Sequence, residues 1–106
     1  MLTTNELNQL KKHISTDNSR LVEIFDCLKD ANRCNLFRLS IKNSNINVTD
    51  AAKILGLSVP LVSQHFKILD SRNLLLKHKK GKEVFYSINK GDPMVTTIAK
   101  IVKNSS

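Results

Sequence analysis

The sequence predicts a single, mainly α-helical domain with one small β-hairpin, and three observations lead to this prediction. Two short amphipathic segments flank Gly56, and each follows a residue that can cap a helix. Two apolar runs, residues 74–76 and 84–88, then enclose a lysine-rich turn. A last amphipathic segment follows Asp92 and Pro93. Two helices joined by a tight turn and followed by a basic hairpin are typical of a winged helix-turn-helix, here with five or six helices and a two- or three-stranded wing.

Length and composition favour one basic intracellular domain spanning residues 1–106. The chain carries 17 Lys and Arg against 9 Asp and Glu, a formal charge of +8, and its pI is about 9.8. Such a balance favours a nucleic-acid partner, although charge alone is a weak indicator. The first residues lack the pattern of a secretory signal, no apolar run could span a bilayer, and Cys27 and Cys34 lack Cys-x-x-Cys spacing. We therefore expect a cytoplasmic protein with reduced thiols and no cofactor.

The first three helices are predicted from their caps and apolar spacing. Thr3 and Glu6 have the spacing of a capping box, which predicts a first helix over residues 4–15. The second helix follows residues 17–19, each able to cap it, and Asp30 offers a cap for a third helix over residues 33–42. The apolar residues expected on these helices are Leu7, Leu10 and Ile14, then Leu21, Val22, Phe25 and Leu28, then Leu36, Phe37 and Ile41.

The helix-turn-helix segment is predicted in more detail. Ile46 and Val48 are expected to form a short strand that pairs with the later hairpin, and Thr49 to cap the fourth helix. Gly56 supplies the left-handed residue that ends this helix. In the fifth helix Ser58 is the expected cap, Pro60 lies in the first turn, and Asn73 is the expected stop.

The last helix, residues 92–103, carries an apolar stripe with no obvious partner inside the domain. The stripe consists of Met94, Val95, Ile98, Ile101 and Val102. Together with the apolar residues of the first helix it is the candidate surface for a dimer. The alternative, that both flanking helices lie across their own core, has comparable weight.

The fifth helix is the candidate DNA-reading element, because its apolar and polar residues separate at helical spacing. Val59, Val62, Phe66 and Leu69 are expected in the core. On the opposite side Gln64 could bind adenine through two hydrogen bonds, and Lys67 could contact phosphate or guanine. The candidate DNA-binding residues are Ser58, Pro60, Leu61, Ser63, Gln64, His65 and Lys67. Among these, His65 lies toward the buried flank and fits a packed, hydrogen-bonded residue better. Leu61 could contact a thymine methyl or be partly buried.

The predicted hairpin adds a cluster of positive charge. Lys77, Lys79, Lys80 and Lys82 lie within seven residues that contain one carboxylate, Glu83. We expect this wing to contact phosphates or a minor groove. Surface lysines often have no specific partner, and an ordinary solvated helix face would explain the polar residues of the fifth helix, so the hypothesis depends on the two features occurring together.

Residues 25–88 resemble the ArsR/SmtB, or arsenic-repressor, family of bacterial regulators. The similar segments are the helix junction at residues 25–33, the recognition helix at residues 57–69 and the wing at residues 81–88. The resemblance implies a homodimeric repressor on a palindromic operator in double-stranded DNA, with the first and last helices forming the interface.

Members of that family often sense metals, but the ligand positions are changed here. The positions that match a Cys-x-Cys pair hold Asn47 and Thr49, and after Asp92 the chain has no His, Asp or Glu. No metal site is therefore predicted. Cys27 and Cys34 could form a thiol sensor, yet seven residues along one helix separate them by about 10 Å, and burial of these thiols is the favoured interpretation.

The predicted function is therefore sequence-specific, DNA-binding regulation of transcription by a homodimeric repressor. Two alternatives stay open: a winged-helix module that binds an acidic protein, and a repressor that responds to oxidants or sulfide species through Cys27 and Cys34. An enzyme is not expected, because the chain has no phosphate-binding glycine loop and His13, His65 and His78 have no catalytic partner at motif spacing. The sequence leaves any small-molecule or metal effector open.

Overall fold

The computed structural model describes residues 1–105, and within that range the chain forms six helices and one three-stranded antiparallel sheet with strand order β1-β3-β2. This agrees with the predicted fold class. The elements are α1 (Thr4–Lys11), α2 (Ser19–Leu28), α3 (Ala31–Lys42), β1 (Ile46–Asn47), α4 (Val48–Leu55), α5 (Val59–Ser71), β2 (Leu75–Lys80), β3 (Glu83–Ile88) and α6 (Pro93–Lys103).

The helix-turn-helix consists of α4 and α5, joined at Gly56. Gly56 has φ 67° and ψ 33°, the left-handed conformation that the sequence predicts at this position. The Ser58 hydroxyl accepts a hydrogen bond from the Leu61 N–H at 3.3 Å and caps α5 as predicted. The predicted cap of α4 is wrong, because Asn47 rather than Thr49 accepts the hydrogen bond from the Asp50 N–H, at 2.8 Å. The helix therefore begins two residues earlier than expected.

The wing is a tight hairpin whose strands are longer than the predicted apolar runs. Lys80 pairs with Glu83, so Gly81 and Lys82 form a two-residue turn. Gly81 has φ 64°, as a type II′ turn requires of its first central residue. The predicted third strand is present as β1, which pairs with β3, although Val48 already belongs to α4.

The core joins α5 to the base of the wing. The rings of Phe66 in α5 and Tyr86 in β3 stack with their centroids 4.2 Å apart and their planes 1° from parallel. Both side chains are buried, and burial raises the pKa of the Tyr86 hydroxyl. This contact fixes the angle between the helix and the hairpin.

The apolar face of α2 differs from the predicted one. Ile24 and Cys27 are buried, whereas Val22 is 58 % exposed and Phe25 is 56 % exposed. Helical spacing alone did not separate these two faces, because apolar residues occur on both. The exposed face is available to a partner.

The last helix packs on its own domain along one side only. Val95, Ile98 and Val102 are buried in the core, so the prediction that the whole stripe lacks an internal partner is wrong. Met94 and Ile101 remain exposed. The guanidinium of Arg38 binds the carbonyl of Val102 at 2.7 Å, close to the C-terminal end of this helix.

The first helix stands away from the rest of the chain. Its capping box between Thr3 and Glu6 is present, but it ends at Lys11 rather than near Ser15, and none of its residues is buried. The radius of gyration is 17.6 Å and the longest dimension is 62 Å, whereas a compact domain of about 100 residues has a radius of gyration of about 13 Å. The alternative in which this helix lies across its own core is therefore wrong.

Arg20 connects three elements at the end of α5. Its guanidinium binds Asp92, the cap of α6, at 2.7 Å and the carbonyl of Arg72 at 2.6 Å. It also binds the carbonyl of Asn73, whose φ of 60° ends α5 as predicted, at 3.3 Å. The hydrogen bond from Arg20 is the main cause that lowers the pKa of Asp92. This network fixes the C-terminal end of α5 relative to α2 and α6.

We expect Arg20→Ala to lower the free energy of unfolding by about 2 kcal/mol at pH 7, a value reduced for solvent screening because the arginine is partly exposed. A carboxylate with a lowered pKa in the folded state stabilises that state above its unfolded pKa, and the contribution is lost as the pH falls through the folded pKa. The difference between wild type and variant, measured by urea denaturation, should therefore shrink below about pH 4. Lys29→Ala is the control, since its ion pair with Asp26 is exposed and its loss should leave the free energy of unfolding nearly unchanged. An Arg20→Ala deficit that grows on acidification would contradict this role of the arginine.

Candidate nucleic-acid interface

The N-terminal half of α5 presents one face to solvent. Val62, Phe66 and Leu69 are fully buried, so they fix which face points outward. Val59, predicted in the core, is 46 % exposed, because the first turn of the helix extends beyond the core. We define the exposed residues of this segment as the α5 ridge: Ser58, Val59, Pro60, Leu61, Gln64 and Lys67.

Ser63 lies beside this ridge, at the junction with the wing. It is half-buried and, together with Val59, it lines a notch of about 560 Å³. The opposite side of the notch is formed by Lys82 and Glu83 at the wing tip, and its end by the first residues of α4. The tip of the wing therefore lies beside the first turns of α5, as an interface shared by both elements requires.

The wing lysines lie on both faces of the hairpin. Lys77 pairs with Tyr86 in the β2–β3 register, and Lys79 with Val84, so these lysines share the sheet face that packs toward α5. Lys80 lies on the other face and Lys82 in the turn. Within the described residues 1–105, none of these four ammonium groups lies within 4.0 Å of a carboxylate oxygen. Their charges are thus available to phosphate.

His65 does not belong to the exposed surface. Its side chain is 8 % exposed and its Nδ1 atom is buried without a hydrogen-bond partner among residues 1–105. The prediction that His65 is packed is therefore confirmed, whereas the hydrogen bond expected of it is not found at Nδ1 in the described part of the chain. A buried His65 is no longer a candidate contact. Leu61 is 37 % exposed and keeps an accessible methyl surface.

One exposed residue near the notch was missed from the sequence. Thr49 is exposed in the first turn of α4 and lines the notch with Asp50. The sequence assigned it to a cap, and because Asn47 takes that position the Thr49 side chain faces the notch instead. No pattern in the sequence around β1 and the start of α4 indicated that Thr49 would line the notch.

The geometry gives no support to a metal or thiol sensor. Among residues 1–105, no group of three or more His, Cys, Asp or Glu side chains could hold a metal ion. Cys27 is buried, and burial raises the pKa of its thiol, which disfavours the reactive thiolate. Cys34 is half-buried, and both cysteines are free. In the same described range, no helix is long and apolar enough to cross a membrane.

The fold and this surface define a DNA-binding transcription regulator of the winged helix-turn-helix class. The helix α5 is buried on one side and exposed on the other, and the tip of the lysine-rich wing lies beside its first turns. The known proteins of similar sequence are likewise regulators rather than enzymes.

No protein-family model matches the chain. It is 29 % identical over 66 residues to the transcriptional repressor SdpR of Bacillus subtilis, covering 62 % of this chain and 72 % of SdpR. The structure of HlyU from Vibrio cholerae superposes with a TM-score of 0.75 at 19 % identity, covering 84 % of this chain and 94 % of that chain. A homodimeric winged helix-turn-helix domain from Mycobacterium bovis, described as a possible ArsR-family regulator, superposes with a TM-score of 0.68 at 16 % identity, covering 85 % and 86 %.

The chain is also 29 % identical over 66 residues to the arsenic resistance regulator ArsR1 of Pseudomonas putida, covering 62 % of this chain and 52 % of ArsR1, and this match confirms the resemblance to the arsenic-repressor family that the sequence predicts. The two structures support the fold, and SdpR supports the regulatory class.

Proposed function

We propose that this chain is a homodimeric transcriptional repressor that acts in the cytoplasm on a palindromic operator. Each subunit places the α5 ridge in a major groove, the two grooves being one helical turn, about 34 Å, apart. The wing lysines bind the flanking phosphates or the neighbouring minor groove. The observation that carries the proposal is the notch between α5 and the wing tip, because it places Lys82 of the wing beside Val59 and Ser63 in the first turns of α5.

The proposed contacts divide into two groups. Gln64 and Leu61 read bases, Gln64 through two hydrogen bonds to adenine and Leu61 through a thymine methyl. Lys67, Ser58 and Ser63 bind the backbone or guanine, and Lys77, Lys79, Lys80 and Lys82 neutralise phosphates. Pro60 fixes the first turn of the helix and packs against the groove wall.

The proposed dimer uses apolar side chains that the domain leaves exposed. One apolar surface, formed by α1 and the turn that follows it, is lined by Leu7, Leu10 and Ile14. Met94 and Ile101 of α6 and Phe25 of α2 are exposed as well. No residue of α1 is buried, and isolated helices of this length are only marginally stable in water, so α1 needs a partner to stay folded. The homodimeric structural neighbour supports the proposed dimer. The repressor SdpR supports repression rather than activation.

The experiment that tests the proposal is selection of randomised DNA duplexes by the full chain at physiological salt. We expect enrichment of one palindromic sequence with half-sites 10 to 10.5 base pairs apart. If a dimer neutralises about six to ten phosphates, affinity should fall about 10³- to 10⁵-fold between 50 and 200 mM salt. Selection that enriches no sequence would contradict the proposal and favour the module that binds an acidic protein.

Gln64→Ala should relax sequence preference. Gln64 is exposed, so the substitution should leave the fold unchanged. We expect the free-energy difference between the operator and an operator altered at the contacted adenine to fall by about 1 to 3 kcal/mol per base pair. Fluorescence anisotropy with both duplexes measures this difference, and Gln9→Ala on α1 is the matched control. An unchanged difference would remove Gln64 from the base contacts.

A further inference from the structure

A groove of about 730 Å³ lies against the face of the wing sheet that points away from α5. Ile41 of α3, Leu76 of β2 and Ala99 of α6 give it an apolar lining. The volume is within the range of sites that bind small molecules, about 300 to 1,000 Å³. Neither the proposed DNA contacts nor the proposed dimer surface uses this groove.

The ionisable side chains that line the groove in the described residues are all basic. Lys90 lies at the end near the base of the sheet, and His78 lies toward the wing tip, where its Nε2 is 3.2 Å from the Asn45 Oδ1. Ser44 and Ser87 add hydroxyls. No carboxylate is among the lining residues in the part of the chain that the structure describes. An apolar trough with a cation at one end is complementary to an anion with an apolar body.

We propose that this groove binds a small carboxylic acid with an apolar body, of the size of a medium-chain fatty acid, with the carboxylate at Lys90 and the hydrocarbon along Leu76 and Ala99. The bound acid would touch two functional elements at once. Leu76 and His78 alternate along β2 with Lys77 and Lys79, and Ala99 lies on α6, which also carries the exposed Ile101. The ligand is thus placed to change the position of the wing relative to the dimer surface, a regulatory role that rests on the proposed function.

The test is titration of the full chain with octanoate, without DNA, followed by calorimetry and by amide chemical shifts. Octanoate should bind with one site per subunit and shift the amides of Ser44, Leu76, Ser87 and Gly91. Octan-1-ol should bind several-fold more weakly, and octylamine more weakly still, because its charge repels Lys90. Lys90→Gln should weaken octanoate binding about 2- to 5-fold, and Ser87→Leu, which fills the groove, should abolish it. Lys53→Gln on α4 is the matched control and should bind as wild type does.

Several outcomes would overturn the site. These are the absence of octanoate binding, equal affinity for octylamine, unchanged binding by both groove variants, or shifts confined to α1 and the exposed side of α6. Groove amides that change on dilution and not with octanoate would assign the groove to a second copy of the chain, and that too overturns the proposal. Because Lys90 is exposed, Lys90→Gln tests the site even if Ser87→Leu fails to fold. The titration contains no DNA, so a failed operator selection would contradict the proposed function and leave the groove result intact.

Discussion

Replacing Leu10 by aspartate should separate the proposed dimer into folded monomers and lower operator affinity about 10²- to 10⁴-fold, the range by which linking two binding sites exceeds one site alone. Leu10 is 51 % exposed, and with Leu7 and Ile14 it lines the apolar surface formed by α1 and the turn that follows it. A charge at the centre of an apolar interface loses its water without gaining a partner. Because α1 contributes no buried residue to its own domain, the monomer should keep its core.

Sedimentation equilibrium measures the subunit separation, and anisotropy with the selected operator measures the affinity. Gln9→Asp is the matched control, since it adds the same charge one position away on a polar face of α1. Circular dichroism and the unfolding midpoint of the monomer report whether the domain stays folded. A Leu10→Asp protein that remains dimeric would show that α1 is not part of the interface.

Replacing Lys79 and Lys80 together by alanine should weaken binding to every duplex nearly equally, by about 10² to 10³-fold at physiological salt if each lysine of the dimer neutralises one phosphate. The slope of log affinity against log salt should become shallower by about 0.9 for each phosphate that the variant no longer neutralises. Both lysines are exposed on β2, and in the described residues neither forms an ion pair with a carboxylate. The ratio of operator to random-duplex affinity should therefore stay constant.

The matched control for this pair is Lys29→Ala with Lys103→Ala, which removes the same charge from the residue that follows α2 and from the end of α6. The control should change the affinity only slightly and leave the salt slope nearly unchanged. If the wing variant instead lost sequence preference, the division of labour between ridge and wing would be wrong. An unchanged salt slope would show that the wing does not touch the phosphates.

Positions governed by local backbone chemistry could be predicted from the sequence. Gly56, Asn73 and Gly81 all have the positive φ expected of them, because that conformation excludes most other residue types. Ser58 caps α5 through a hydrogen bond three residues ahead. These features depend only on residues close together in sequence, so a single sequence is enough to predict them.

Which face of each helix is buried could be predicted only where the apolar residues occupy one face. In α5 the buried Val62, Phe66 and Leu69 follow the predicted pattern, and Gln64 points outward as expected. In α2 apolar residues occupy two faces, and only the packing of the whole domain selects Ile24 over Phe25. The separation of α1 from the domain is likewise a property of tertiary packing.

For the candidate site, most of the residues could be predicted from the sequence, whereas their proximity in space could not. The wing lysines and the α5 ridge follow from sequence order and helical spacing. Their adjacency depends on the Phe66 and Tyr86 stack, which joins residues 20 positions apart. His65 was misplaced among the contacts because it lies at the boundary between the two faces of α5, where a small rotation decides burial.

The most direct test of operator reading by α5 is photo-crosslinking from position 64 of the full chain to its selected operator. A photoreactive side chain at Gln64 should crosslink to bases in two clusters, one in each half-site, separated by 10 to 10.5 base pairs. The same group placed at Gln9 on α1 should give no crosslink to bases. Crosslinks from position 64 that are absent, or that are spread evenly along any duplex, would contradict the claim that α5 reads the operator.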